Sequence, residues 1–199
     1  MRRWIKFFGV AALMMSASVN AGDVDPTRHR LHATTDKVEI ESYSKASGAP
    51  ADVAVIELER QTLAQDGIDA LREEFNDRLA GLYWTDYPNQ AINIRLTGAA
   101  FVAPRKIETA AGNVPVVFTL GAPMTLAEQS IRLKRSWPAL KAMLPGLIGA
   151  GIDERDGSVS IDIRSPVADP KPFEDEKANI EQVLGMPVRF SVHSLETDT

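Results

Sequence analysis

Three histidines, one crowded acidic turn and a few aromatics are the residues of this 199-residue chain whose types could carry chemistry. His29 and His32 are spaced to share one helical face and could hold copper or zinc, but a closed metal site takes more ligands than two imidazoles. Asp153, Glu154 and Asp156 crowd one turn and could begin a calcium site. They lack the ligand at the far end of a calcium loop, and Asp and Gly are what a tight turn uses, so the turn reading is preferred. His193 follows Val192 in an alternating segment that turns it to solvent, as a surface histidine rather than a general base. No Gly-x-Ser-x-Gly is present, and the histidines sit too near the two ends to assign a Ser-His-Asp triad. Without cysteine there is no thiol nucleophile, thiolate metal site or redox dithiol. Gly149 and Gly151 open a strand rather than a helix, so they form no phosphate loop. Acids are plentiful, which leaves a glycoside-cleaving carboxylate pair open, yet none is marked out by its surroundings. Trp84, Trp137 and Tyr83 could line a pocket, although Trp137 lies on the apolar stripe of its helix and reads as core.

The elements that must position these residues begin after residue 51. Residues 1–21 read as a cleaved export signal: Arg2, Arg3 and Lys6, then an apolar run from Phe7 to Met15, then Val19-Asn20-Ala21 with small residues where a signal peptidase reads. That run falls short of the ~20 residues that span a bilayer. No membrane association is therefore expected after cleavage, and a periplasmic or secreted location is. The whole chain carries 22 Lys and Arg against 27 Asp and Glu, and loss of residues 1–21 leaves 19 against 27, a net charge of −8. Such a surface repels phosphates, and the densest basic stretch, Arg132, Lys134 and Arg135, is too short for a nucleic-acid face. Residues 22–51 read as a weakly ordered segment with one short strand at Val38–Glu41 and a linker from Ser44 to Pro50.

From Asp52 the pattern is regular. Val53, Ile56 and Leu63 predict a first helix ending near Asp66-Gly67; Ile68, Leu71, Phe75 and Leu79 predict a second, with a Glu74–Arg78 pair and Gly81 at its end. Leu82–Thr85 and Ala91–Leu96 flank turn formers and predict a β-hairpin, and Val114–Leu120 a further strand. The same order then recurs. Thr125 and Glu128 make a capping box for a helix carrying Leu126, Leu133, Trp137, Leu140 and Leu144, with Pro138 inside it and Gly146 to close it. Ala150–Ile152 and Val159–Ile163 form a second hairpin, Pro172 starts a helix that Gly185 ends, and Met186–Val192 is the last strand.

The repeat is explicit in the residues. At an offset of 67, Asp86 falls on Asp153, Ile92 on Val159, Ile94 on Ile161 and Leu96 on Ile163; at 72, Pro115-Val116 falls on Pro187-Val188 and Phe118 on Phe190. The shift of five places one insertion between hairpin and final strand, where the first copy has only a shortened crossover, residues 99–111. The expected fold is α+β: two related units, 52–122 and 123–199, each a helix, a hairpin, a crossover and a strand, with a three-stranded sheet and helices on one face. Each unit is too small to be comfortably stable alone, so the two should pack together.

Three segments carry a family resemblance: Leu82-Tyr83-Trp84-Thr85-Asp86, Gly149-Ala150-Gly151-Ile152-Asp153 with Gly157-Ser158-Val159-Ser160-Ile161, and Leu184-Gly185-Met186-Pro187-Val188-Arg189-Phe190. Over about Ile68 to Leu195 the chain resembles the pro-regions of alpha-lytic protease and streptogrisin-type secreted serine proteases. The resemblance implies a non-catalytic module that binds a protease through the sheet of its C-terminal half and through its tail, assisting or inhibiting it. Here the chain stops at Thr199 with no protease following, so the partner would be a separate secreted serine protease. Arg189, Ser191, His193 and Leu195 are the candidate contacts; no cofactor and no metal is expected. The alternatives are an exported carboxylate-based hydrolase and a small-ligand binder using the cleft between the units.

Overall fold

The computed structural model describes residues 37–166 and 171–194. The expected export signal, His29, His32 and Leu195 lie outside the described residues. Among the described residues no helix is long and apolar enough to cross a membrane.

The described residues open on a helix where a strand and a linker are expected. α1 spans Lys37–Ser47. Its less exposed positions are Ile40, Tyr43, Ser44 and Ser47, a helical i, i+3, i+4, i+7 stripe, whereas Val38 is 66% exposed. One tyrosine and two serines replace the usual aliphatics, so the stripe does not register as apolar. Gly48 ends the helix at φ +78 with its N–H on the Ser44 carbonyl. After Pro50, α2 covers Ala51–Leu63 and buries Ala54 and Glu57, leaving Ile56 exposed. α3, Gln65–Glu74, turns Ile68 and Leu71 inward and ends well before Gly81. The expected Glu74–Arg78 pair does not form: Glu74 takes a bidentate pair of bonds from Arg105 at 2.5 and 2.7 Å, and Arg78 donates to the carbonyls of Thr97 and Ala100.

Two sheets follow. The first holds β1 (Leu79–Thr85), β2 (Ala91–Thr97), β3 (Arg105–Thr109) and β4 (Gly112–Ala122) in the order β1-β2-β4-β3, so it has four strands rather than three. The extra strand comes from the stretch expected to be only a crossover. β3 has one aliphatic, Ile107, and carries Lys106 and Glu108 paired to each other, the composition of an exposed edge and hence a weak strand signal. Helix α4, Leu126–Met143, starts at the Thr125–Glu128 capping box and runs through Pro138; Gly146 lies beyond its end. The second sheet is β5 (Leu147–Ile152), β6 (Val159–Ser165) and β7 (Val188–Ser194), in that order. Between β6 and β7 lie α5 (Lys171–Glu174) and α6 (Lys177–Leu184), and Gly185 caps α6 in the left-handed region.

The registers match between sheets. β2 pairs in parallel with β4 through Ile92↔Val116 and Ile94↔Phe118; β6 pairs in parallel with β7 through Val159↔Val188 and Ile161↔Phe190. These are the repeat equivalences read from the sequence at offsets 67 and 72. β1 and β5 each pair antiparallel with the next strand and each carries a bulge, at Leu79/Gly81 and Leu147/Gly149. Each sheet buries one face beneath its own helices. Phe118 meets Phe75 of the first helix layer edge-on at 5.4 Å, and Phe190 meets Phe173 of the second at 6.2 Å.

Candidate functional site

β7 ends the second sheet, and no described strand pairs with its outer side. The Pro187 carbonyl accepts from Val159 N–H on β6, so residues 187, 189, 191 and 193 turn their backbone groups toward β6. Val188, Phe190 and Val192 then present N–H and C=O to the free side. The first of these N–H groups is taken by the Glu181 carboxylate at 2.9 Å. Those of Phe190 and Val192 follow at period two and have no partner among the described residues.

Side chains divide the other way. Val188 is buried, Phe190 packs half-buried against the second core and Val192 is half-buried, while Arg189, Ser191 and His193 alternate with them on the opposite face. Three of the four candidate contacts are thus brought together on one strand face. Two of the three are also held in place. Arg189 bridges Asp153 at 3.3 Å and Asp156, and His193 Nε2 lies 3.0 Å from Asp162 Oδ1. Burial pushes the Asp156 carboxyl up, but bonds from Ser158 and the Arg189 guanidinium outweigh it and hold the group below the ordinary carboxylate range.

The acidic turn is accounted for by these contacts. Asp153 Oδ1 accepts from Arg155 N–H and Asp156 Oδ1 from Ser158 N–H, which closes the turn. Glu154 reaches into the first sheet, where its carboxylate accepts the Leu82 N–H at 2.7 Å. There β1 runs so close that a Cβ at Gly81 would collide with the Glu154 carbonyl oxygen. Gly81 therefore serves this approach rather than a helix end. Arg95 donates to the same carbonyl, and the Arg155 guanidinium lies over the Tyr83 ring at 5.8 Å. Where the two units meet along β1, the contact is packed.

Sequence reasoning missed two features. The first is a cluster of Tyr43, Glu57 and Asp86. The Tyr43 hydroxyl donates to the buried Glu57 carboxylate at 2.6 Å and lies 3.3 Å from Asp86 Oδ1. Burial, the bond to Glu57 and the charges of both acids push the phenol well above its ordinary range, so it stays protonated and ties α1 to α2 and to the β1–β2 turn. The second is a groove of about 390 Å3 between α4 and β5, lined by Ser130, Leu133, Lys134, Trp137, Ala150 and Ile152. Trp137 is half-buried beside it rather than sealed in the core. The helical spacing 130, 133, 134, 137 and the strand spacing 150, 152 were both visible in the sequence; what they enclose was not.

No protein-family model matches the chain, and no curated protein matches it.

Proposed function

We propose that the chain is an exported, non-catalytic interaction module of protease pro-region type, which binds a separate secreted serine protease by strand addition at β7. The observation that supports this reading is the outer side of β7, where the backbone groups of Phe190 and Val192 have no partner among the described residues and stand beside a row of Arg189, Ser191 and His193 whose first and last members are held by ion pairs. Strand addition draws affinity from such backbone bonds, with flanking side chains supplying selectivity. The engagement of Asp153, Glu154 and Asp156 in turn closure and packing favours this reading over a carboxylate hydrolase. So does the composition of the groove, whose lining is mainly apolar with one lysine and no acid.

Titration of the purified protein against alpha-lytic-type proteases, with a peptide-substrate readout and calorimetry, tests the proposal. Saturable binding is expected, and deletion of residues 194–199, which begin at the last residue of the strand, should weaken inhibition more than binding. An absence of heat and of inhibition with every such protease overturns it.

A further inference from the structure

We propose that the groove between α4 and β5 is a binding site for a carboxylate borne on one apolar group. The inference rests on the groove alone and is independent of the docking reading. Register shows why the groove exists. In the first sheet Leu82 pairs with Ile94 and Trp84 with Ile92; in the second, Ala150 pairs with Ile161 and Ile152 with Val159. Because Ile94 corresponds to Ile161 and Ile92 to Val159, Ala150 stands where the first unit has leucine and Ile152 where it has tryptophan. Both replacements are smaller, and the space they give up lies beneath α4.

The lining sets the ligand's chemistry. Leu133, Trp137, Ala150 and Ile152 form an apolar floor and wall, and about 390 Å3 lies within the range of small-molecule sites, roughly 300–1,000 Å3. Ser130 and Lys134 complete the lining, and Lys134 makes no ion pair among the described residues. A second cation, Lys141, lies 6.0 Å from the centre of the Trp137 ring. An amine ligand would meet like charge here, and a bare inorganic anion would leave the apolar wall uncovered. A carboxylate on an aromatic ring or branched chain covers the wall and reaches Lys134. Two sources share that chemistry: a free acid and the C-terminal residue of a peptide.

The test follows the tryptophan indole N–H signals by NMR, with the Trp137 signal assigned by Trp137→Phe. The probes are 3-phenylpropionate, its neutral amide, and acetyl-Ala-Phe with a free or an amidated C-terminus. Either acid should move the Trp137 signal saturably, and the one that binds more tightly identifies the source. Lys134→Gln should weaken the acids about fivefold, the scale of an exposed ion pair. Ala150→Leu, which puts back the side chain the first unit carries, should abolish binding, while Lys134→Gln tests the site with the core untouched. A Trp137 signal that neither acid moves overturns the proposal, as does an amide that binds as tightly as its acid. Unchanged binding by a folded Ala150→Leu overturns it too.

Discussion

In the first sheet β4 has β2 on one side and, over Gly112–Val116, β3 on the other; in the second, β7, which occupies the same place in the repeat, has β6 on one side and no described strand on the other. At the opposite edges the difference runs the same way. β1 has its free Leu82 N–H taken by Glu154, and its inner face is filled by Leu82 and Trp84, whereas β5 borders an open groove. The first unit adds the edge strand β3 beside β4 and caps Leu82 on β1, while the second ends at β7 and borders a groove at β5. A repeat thus preserves register, because slipping a strand by one residue would turn its apolar set to water, while leaving edges free to diverge.

The largest test of this comparison is the shared register. Ile94 and Ile161 are at most 1% exposed, and each substitution to alanine should cost about 2–5 kcal/mol, read from urea midpoints. A loss below about 1 kcal/mol at either site would break the equivalence of the two cores.

A sharper test uses the paired bulge glycines. Gly81→Ala drives a methyl group into the Glu154 backbone and should cost about 1–3 kcal/mol, in the range of overpacked sites. At Gly149, where the nearest atom to an added Cβ is Asp162 Oδ2 at 3.7 Å, the same change should fall within about 0.5 kcal/mol. Equal losses would show that the glycines serve the bulge itself rather than the contact between units.

The smallest effect separates Asp86 from its equivalent Asp153. Tyr43→Phe removes the phenol bond from buried Glu57 and should cost about 1–2 kcal/mol. Because the folded phenol is held above its ordinary value of 10.0, the unfolded chain releases that proton first as pH rises. The wild type should therefore lose stability above about pH 10, and the variant should lack this component. Superimposable alkaline limbs for the two proteins would contradict the tie.

Much of this architecture was legible because each sheet has one buried face. Ile92, Ile94 and Leu96, like Val159, Ile161 and Ile163, alternate cleanly, and Thr125 with Glu128 announced its helix. β3 escaped because an edge strand with a single inward aliphatic resembles a loop. α1 escaped because Tyr43 and two serines form its less exposed stripe. Gly81 was ambiguous, since glycine marks helix ends and close backbone approaches alike. The alternation of Arg189, Ser191 and His193 was readable, but Asp153, Asp156 and Asp162, the partners of Arg189 and His193, come from elsewhere in the chain. The groove arises from a difference in size between equivalent positions, and comparing β1 with β5 at an offset of 68 would have exposed it.

The parallel pairing of β6 with β7 bears on when the free edge comes into being. Hairpins close over short stretches of chain, but this pairing joins segments some thirty residues apart, with α5 and α6 between them. Contacts across such separations form late, after the loop entropy has been overcome. The outer side of β7 is therefore a surface that exists only once the chain through β7 has folded. A partner engaging it meets the completed fold, and a stalled or truncated polypeptide offers it nothing to hold.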